Sequence, residues 1–140
     1  MKSMLFLFTV LLLSVSSLRA QTTTGETIEV TIENVMTDGG HILAALHTEE
    51  TFMKNDGIAS AFAYAKKGVV TFSFDNVQPG TYAIMVMHDL NGNNQMDFEA
   101  NGMPKENYGV SGNEMLMGPP TFESSKFRFE SSPISLKIRF

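Results

Sequence analysis

Apolar and polar residues alternate along most of this 140-residue chain, and alternation with a period of two is typical of half-buried β-strands. The apolar members of each run share one face, which we expect to point into a core. They are Ile28, Val30 and Ile32; Ile42, Ala44 and Leu46; Val70, Phe72 and Phe74; Tyr82, Ile84 and Val86; Phe127 and Phe129; and Leu136, Ile138 and Phe140. These runs predict six strands.

The segment between residues 49 and 67 is ambiguous. Alanines at positions 59, 61, 63 and 65 alternate with Ser60, Phe62, Tyr64 and Lys66, which indicates a strand. Alanine is also the strongest helix former, so a short helix is the alternative. We predict a strand preceded by a loop or a single helical turn, which brings the total to about seven strands.

Two turn motifs suggest how these strands are arranged. Asp38-Gly39-Gly40 predicts a hairpin between the first two strands. Pro79-Gly80 precedes Tyr82, an arrangement similar to the tyrosine corner of immunoglobulin-like sandwiches; alternatively, Tyr82 is simply an inward aromatic residue. About seven short strands separated by turns predict an all-β antiparallel sandwich.

The first twenty residues have the layout of a secretory signal peptide. Lys2 is followed by an almost purely apolar stretch at residues 4–15 and by a small residue, Ala20, before the predicted cleavage. The apolar stretch is short for a membrane span, which takes about 20 residues. We therefore predict an exported protein, periplasmic or secreted, with a signal peptide at 1–20 and one domain at 21–140. The alternative is an uncleaved N-terminal anchor.

Charge and cysteine content narrow the functional classes. The chain has 10 basic and 15 acidic residues, so removal of Lys2 and Arg19 with the signal leaves 8 basic residues against 15 acidic ones, a formal charge of −7. Such an acidic chain makes nucleic acid an unfavourable partner and suits cation binding. There is no cysteine, so neither a lipid-anchored cysteine nor a disulfide is available. No further transmembrane segment is expected once the signal is removed.

The alternation stops between His88 and Pro120, and long connections in compact domains are usually functional or disordered. This region begins with oxygen-bearing side chains at every second position. They are Asp89, Asn91, Asn93, Gln95 and Asp97. Calcium loops use side chains at positions 1, 3 and 5, a backbone carbonyl at 7 and an acid or bridged water at 9. We predict that these five residues hold Ca²⁺, with Gln95 contributing its carbonyl.

The match to a calcium loop is partial. Asn94 occupies position 6, normally glycine, although asparagine tolerates left-handed backbone. Ala100 replaces the bidentate glutamate of position 12, so we expect modest affinity, about 10⁻⁴–10⁻³ M. The alternative is a loop that folds without metal, through bonds from its own side chains to its backbone.

Other polar residues permit competing interpretations. Lys105, Glu106 and Tyr108 could line a small pocket, but we favour a structural tie between the loop and the sandwich. His88 could act as a general base, although we favour a structural role in which it bonds the backbone of the loop and orients it. His41 and His47 are placed on one strand face, where we expect them to face solvent.

Several separated motifs, in order, resemble an uncharacterised bacterial family known as domain of unknown function 2141. They are residues 76–82, His88-Asp89-x-Asn91-Gly92-Asn93, Asp97, Gly102-x-Pro104-Lys105-Glu106, Tyr108-Gly109 and Gly118-Pro119-Pro120-x-Phe122. The resemblance covers nearly the whole chain after the signal. It implies small exported proteins with an immunoglobulin-like or transthyretin-like sandwich and transfers no catalytic residue. Leu90 and Asn94 stand where the family pattern has an acid or asparagine and a glycine.

Together these observations predict an exported, non-enzymatic β-sandwich module with a calcium-type loop. Its role would be to bind or organise a component of the cell envelope, an envelope protein or a glycan. The alternative is a small hydrolase-like enzyme centred on His88, an idea that comes by analogy from a transthyretin-like hydrolase.

Overall fold

A computed structural model describes residues 24–112 and 118–140. In this part of the chain, eight strands and one short helix follow one another. They are β1 (Glu26–Val35), β2 (His41–His47), β3 (Ala59–Tyr64), β4 (Gly68–Val77), β5 (Gly80–Asp89), β6 (Tyr108–Val110), α1 (Phe122–Ser125), β7 (Phe127–Phe129) and β8 (Ile134–Arg139). The predicted signal segment, residues 1–20, lies outside the described residues.

The strands form two sheets. A three-stranded sheet has the order β4-β1-β8, and the second sheet has the order β3-β2-β5-β6, with β7 also paired to β5. β6 pairs with Met85–Met87 and β7 with Gly80–Tyr82, so these two short strands share one edge of β5. All pairings are antiparallel except that of β1 with β8.

The predicted inward faces pack against one another in the core. Ile28, Val30 and Ile32 of β1 are fully buried, as are Ile42, Leu46 and Ile84 of the other sheet. Burial of such apolar surface is the main favourable contribution to folding. The prediction of an all-β sandwich is therefore confirmed. No helix within residues 24–112 and 118–140 is long and apolar enough to cross a membrane.

Three details differ from the sequence prediction. The Asp38-Gly39-Gly40 turn does not close a hairpin, because β1 and β2 belong to different sheets and the turn carries the chain from one to the other. The count is eight rather than about seven, because β6 has only three residues and is too short to show an alternating pattern. β6 also divides the predicted loop, whose first part ends at Asn107.

The two local ambiguities are resolved. β3 is a strand, and the chain before it makes a helical turn in which Phe52 N–H donates to the Thr48 carbonyl at 3.0 Å. The Tyr82 hydroxyl donates to the Gln78 carbonyl at 2.9 Å, which is the hydrogen bond of a tyrosine corner. The same side chain is only 8% exposed, so it is also an inward aromatic residue.

Candidate functional site: the Asp/Asn loop

The Asp/Asn loop, residues 89–97, begins where β5 ends. Asp89 is the last residue of β5 and is directly opposite His41, the first residue of β2. Its carboxylate is fully buried: Oδ1 accepts from Gly92 N–H at 2.8 Å and Oδ2 from Asn94 N–H at 2.7 Å. His41 Nε2 lies 3.0 Å from Oδ2. The start of the loop therefore wraps around the Asp89 carboxylate.

The buried Asp89 carboxyl keeps its charge because donors surround it. Burial raises its pKa, but the N–H groups of Asn94 and Gly92, the nearby His41 ring and Asn93 N–H together outweigh burial and leave the pKa below its ordinary value. At neutral pH a negative charge is thus held at the base of the loop.

Three other predicted ligands meet at the tip of the loop. Asn91 Oδ1 accepts from Asn93 N–H at 3.0 Å, and Asn93 Oδ1 accepts from Gln95 N–H at 2.9 Å. The amide groups of Asn91 and Asn93 both donate to Asp97 Oδ2, at 2.6 and 3.1 Å. The side chains at positions 3, 5 and 9 of the loop therefore converge on one point.

Left-handed backbone lets the loop turn this tightly. Gly92 has φ 76° and Asn94 has φ 59°. Asn94 thus adopts the left-handed conformation that a calcium loop requires at its sixth position, as its side chain permits. Its Oδ1 atom also lies 3.3 Å from His41 Nε2, which joins the loop to β2 a second time.

The Glu106 carboxylate joins the two ends of the loop. It is only 6% exposed, and its two oxygens accept from Leu90 N–H at 3.3 Å and from Asp97 N–H at 3.1 Å. Lys105 N–H also donates to the Asp97 carbonyl at 2.9 Å. The interpretation of this region as a tie between the loop and the sandwich is confirmed for Glu106.

The structure brings only some of the five predicted calcium ligands together. Asn91, Asn93 and Asp97 are brought together, Asp89 is turned inward to the backbone, and Gln95 contributes its N–H to the loop. In the described residues, no three His, Cys, Asp or Glu side chains form a group suited to a metal. A cation here would depend on the Asp97 carboxylate together with amide and carbonyl oxygens. Each amide oxygen that accepts one N–H retains a second lone pair.

His88 is held in the sandwich. It is 1% exposed, its Nε2 lies 2.7 Å from the Gly39 carbonyl, and its ring stacks on Phe140 with centroids 6.2 Å apart. The carbonyl can only accept, so Nε2 donates. This ring therefore fastens the β1–β2 turn to β5. The role of His88 is structural as expected, but its side-chain partner is the β1–β2 turn and not the loop.

The prediction that His41 and His47 face solvent is wrong. His47 is 4% exposed because the turn after β2 folds over it, with Thr51 Oγ1 3.3 Å from Nδ1 and the Phe52 ring 5.7 Å from its ring. Burial lowers the pKa of His47, opposed by its Thr51 hydrogen bond and by Asp56. The side chain of His41 is 17% exposed and is placed between the loop and Phe62.

Two open pockets lie at the opposite end of β5 from the Asp/Asn loop. Their volumes are about 630 and 480 Å³, and both are lined by Gly80 and Thr81. The larger one also carries Arg128 and Glu130, which pair with each other at 3.3 Å. No residue of the Asp/Asn loop lines either of these two pockets.

The fold and the loop define a β-sandwich protein with an asparagine-rich, internally hydrogen-bonded loop at one end of its larger sheet. The chain belongs to a bacterial family described as "Uncharacterized protein conserved in bacteria (DUF2141)", whose model matches residues 30–137. The resemblance predicted from the sequence motifs is confirmed. No curated protein and no solved structure matches the chain significantly.

Proposed function

We propose that this protein is an exported, non-enzymatic β-sandwich module whose Asp/Asn loop binds Ca²⁺ and thereby orders a recognition surface for a component of the envelope. The one observation that carries the proposal is the convergence of Asn91, Asn93 and Asp97 on a single point. A calcium loop uses oxygens at positions 3, 5 and 9. Here the two amides present nitrogen to the Asp97 carboxylate while their oxygens accept from Asn93 N–H and Gln95 N–H, so both amides would rotate to bind the ion.

The proposed metal-bound loop differs from the metal-free one in a defined way. Without a cation, the Asn91 and Asn93 amide groups compensate the Asp97 carboxylate by donating to it. With Ca²⁺, the Asp97 carboxylate would bind the metal, and the amide groups would turn their N–H donors to water. Asp89 would keep its N–H partners and hold the loop closed around the ion.

His41 connects the loop to a pair of exposed aromatic rings on β3. Its Nε2 contacts Asp89 and Asn94, and its ring lies 4.9 Å from that of Phe62. Phe62 in turn meets Tyr64 at 5.2 Å, and these two rings are 51% and 81% exposed. An ordered loop would therefore fix an exposed aromatic pair, which suits recognition of a ligand.

A thermal melt of the purified protein with Ca²⁺ and then with a chelator tests the proposal. At about 1 mM Ca²⁺ and a dissociation constant of about 0.1 mM, we expect about 1.4 kcal/mol of added stability. For a domain of this size, that corresponds to a rise in the melting temperature of about 5 °C.

The matched variants are Asp97→Asn and Asp75→Asn. Asp97→Asn removes the carboxylate at the convergence point, so the calcium-dependent shift should disappear. Asp75 is an exposed acid on β4 that bonds Thr27, so its variant should keep the full shift. An unchanged melting temperature in the unmodified protein at millimolar Ca²⁺ would contradict the proposal.

The hydrolase alternative gains no support from the geometry of its key residue. A general base must reach a substrate proton, whereas the buried ring of His88 is committed to the Gly39 carbonyl.

A further inference from the structure

The chain contains two Asn-Gly pairs, and both lie in the connection between β5 and β6. They are Asn91-Gly92 in the Asp/Asn loop and Asn101-Gly102 further along. Asparagine is a thermolabile residue, and it is most labile before glycine, whose backbone nitrogen no side chain shields. The reaction is an attack by that nitrogen on the carbonyl carbon of the asparagine side chain. Because the two pairs are alike in sequence, their structural surroundings decide which of them reacts.

In the first pair, each group that the reaction needs is held by a hydrogen bond. Gly92 N–H, the nucleophile, donates to the buried carboxylate of Asp89 at 2.8 Å. Asn91 Nδ2, the leaving group, donates to Asp97 at 2.6 Å, and Asn91 Oδ1 accepts from Asn93 N–H at 3.0 Å. Two of these three bonds use a carboxylate, and hydrogen bonds to charged groups are the stronger ones. Attack at Asn91 therefore requires that strong bonds break first.

The second pair lies in an exposed turn and is held by weaker bonds. Gly102 N–H donates to the Glu99 carbonyl at 2.8 Å. Asn101 Oδ1 accepts from Met103 N–H at 3.1 Å, and in the part of the chain that the structure describes Asn101 Nδ2 has no partner. All four of these residues are exposed. Both bonds join neutral groups in a solvent-exposed turn, where local opening costs little free energy.

We propose that Asn101 is a site of spontaneous deamidation in the folded protein and that Asp89 protects Asn91 from the same reaction. At Asn101, the Gly102 nitrogen forms a bond to the side-chain carbonyl carbon, the bond from that carbon to Nδ2 breaks, and ammonia leaves with the proton of the Gly102 nitrogen. Water then opens the resulting succinimide at either of its carbonyl groups and leaves aspartate or isoaspartate at position 101. No oxidant or reductant takes part.

This reaction changes the turn and spares the Asp/Asn loop. Either product adds a negative charge, and isoaspartate also lengthens the backbone between Phe98 and Pro104, which pair across the turn. At Asn91, the same reaction would remove the amide that donates to Asp97. Asp89 therefore preserves the chemistry of the loop as well as its shape. The inference does not depend on calcium binding by the loop.

Incubation of the purified protein with chelator at mildly alkaline pH tests the proposal. Tandem mass spectrometry locates the small gain in mass that accompanies replacement of an amide by an acid. We expect Asn101 to react about tenfold faster than Asn91, or more, in the folded protein. In urea the protecting bonds are lost, so both sites should react at similar rates. Equal rates in the folded protein, or an Asn101 that stays intact, overturns the proposal.

Asp89→Ala tests the protecting role. It removes the acceptor of Gly92 N–H, so the rate at Asn91 should rise towards that at Asn101, while the Asn101 rate stays unchanged. Asp75→Ala removes an exposed acid outside the loop and is the matched control, which should leave both rates as they are. A circular dichroism melt checks that each variant stays folded. An unchanged rate at Asn91 in folded Asp89→Ala overturns the protecting role of Asp89.

A second variant, Asp97→Asn, tests the same protection at the leaving group and serves if Asp89→Ala does not fold. It replaces the charged acceptor of the Asn91 amide by a neutral one, so the rate at Asn91 should rise about fivefold. The rate at Asn101 should again stay unchanged. Equal increases at the two sites would show a general loosening of the protein and would contradict specific protection of Asn91.

Discussion

The sandwich core and the Asp/Asn loop are stabilised by different kinds of interaction. The core is built from apolar side chains that come from distant parts of the chain, such as Ile32 of β1 and Ile84 of β5. The loop is held by side-chain oxygens that bond to nearby backbone, such as Asp89 with Gly92 and Asn94. The hydrophobic effect has no directional preference, whereas each loop hydrogen bond requires one particular atom. The core should therefore be sensitive to loss of buried volume, and the loop should be sensitive to loss of a particular hydrogen-bonding atom.

The largest effect is expected in the core. Ile32 is fully buried and is packed in the cluster shared by the two sheets. Ile32→Ala removes apolar contacts and leaves a cavity, so we expect a loss of about 3 kcal/mol in the free energy of unfolding. Urea denaturation measures it.

The neighbouring residue provides the control. Thr31 faces outward on the same strand, where it bonds Thr71. Thr31→Ala should change stability by about 0.5 kcal/mol at most. Equal losses for the two variants would contradict the assignment of the inward face of β1.

A smaller and local effect is expected in the loop. Asp89→Ala removes the charged acceptor of Gly92 N–H and Asn94 N–H, so we expect a loss of about 2 kcal/mol. Amide hydrogen exchange should accelerate throughout residues 90–97 and stay slow in β1. Asp75→Ala serves as the matched control because it removes an exposed acid outside the loop. Uniform acceleration across both regions would show that the loop and the core do not behave as separate units.

The smallest effect is the pH dependence of stability. It arises at His47, which is covered by the turn after β2. Burial lowers the pKa of His47 from its ordinary 6.5, so the unfolded chain binds a proton more readily than the folded one. The contribution of His47 to stability is therefore complete above pH 6.5 and is lost as the pH falls below it. Urea denaturation between pH 8 and pH 5 should show this decline, and His47→Asn should reduce it. An equal pH dependence in the variant would contradict the effect of burial.

Local pattern was enough to predict much of this molecule. The strands around Ile28, Ile42 and Ile84 follow from alternation, because a period of two places every second side chain on one face. The Asx turns of Asn91 and Asn93 follow from side-chain chemistry, because each oxygen bonds a backbone group only two residues ahead. Both inferences need only short-range information.

Long-range pairing could not be predicted in this way. Nothing in the local pattern places β8 parallel to β1, or sends the Asp38-Gly39-Gly40 turn from one sheet to the other. The burial of His47 depends on Phe52 packing over it, and the contact between His41 and Asp89 depends on the register of two strands 48 residues apart in sequence. Such contacts are decided by how whole elements pack.

The most direct test of the account is a Ca²⁺ titration followed by ¹H–¹⁵N NMR, which reports on the Asn91 and Asn93 side-chain amides that now donate to Asp97. We predict saturable shifts of these amides and of the backbone of residues 89–97, with a midpoint of about 0.1–1 mM and little change in the core strands. If the Asn91 and Asn93 side-chain signals stay fixed up to millimolar Ca²⁺, the loop is held by its own hydrogen bonds alone and the proposed calcium site is wrong.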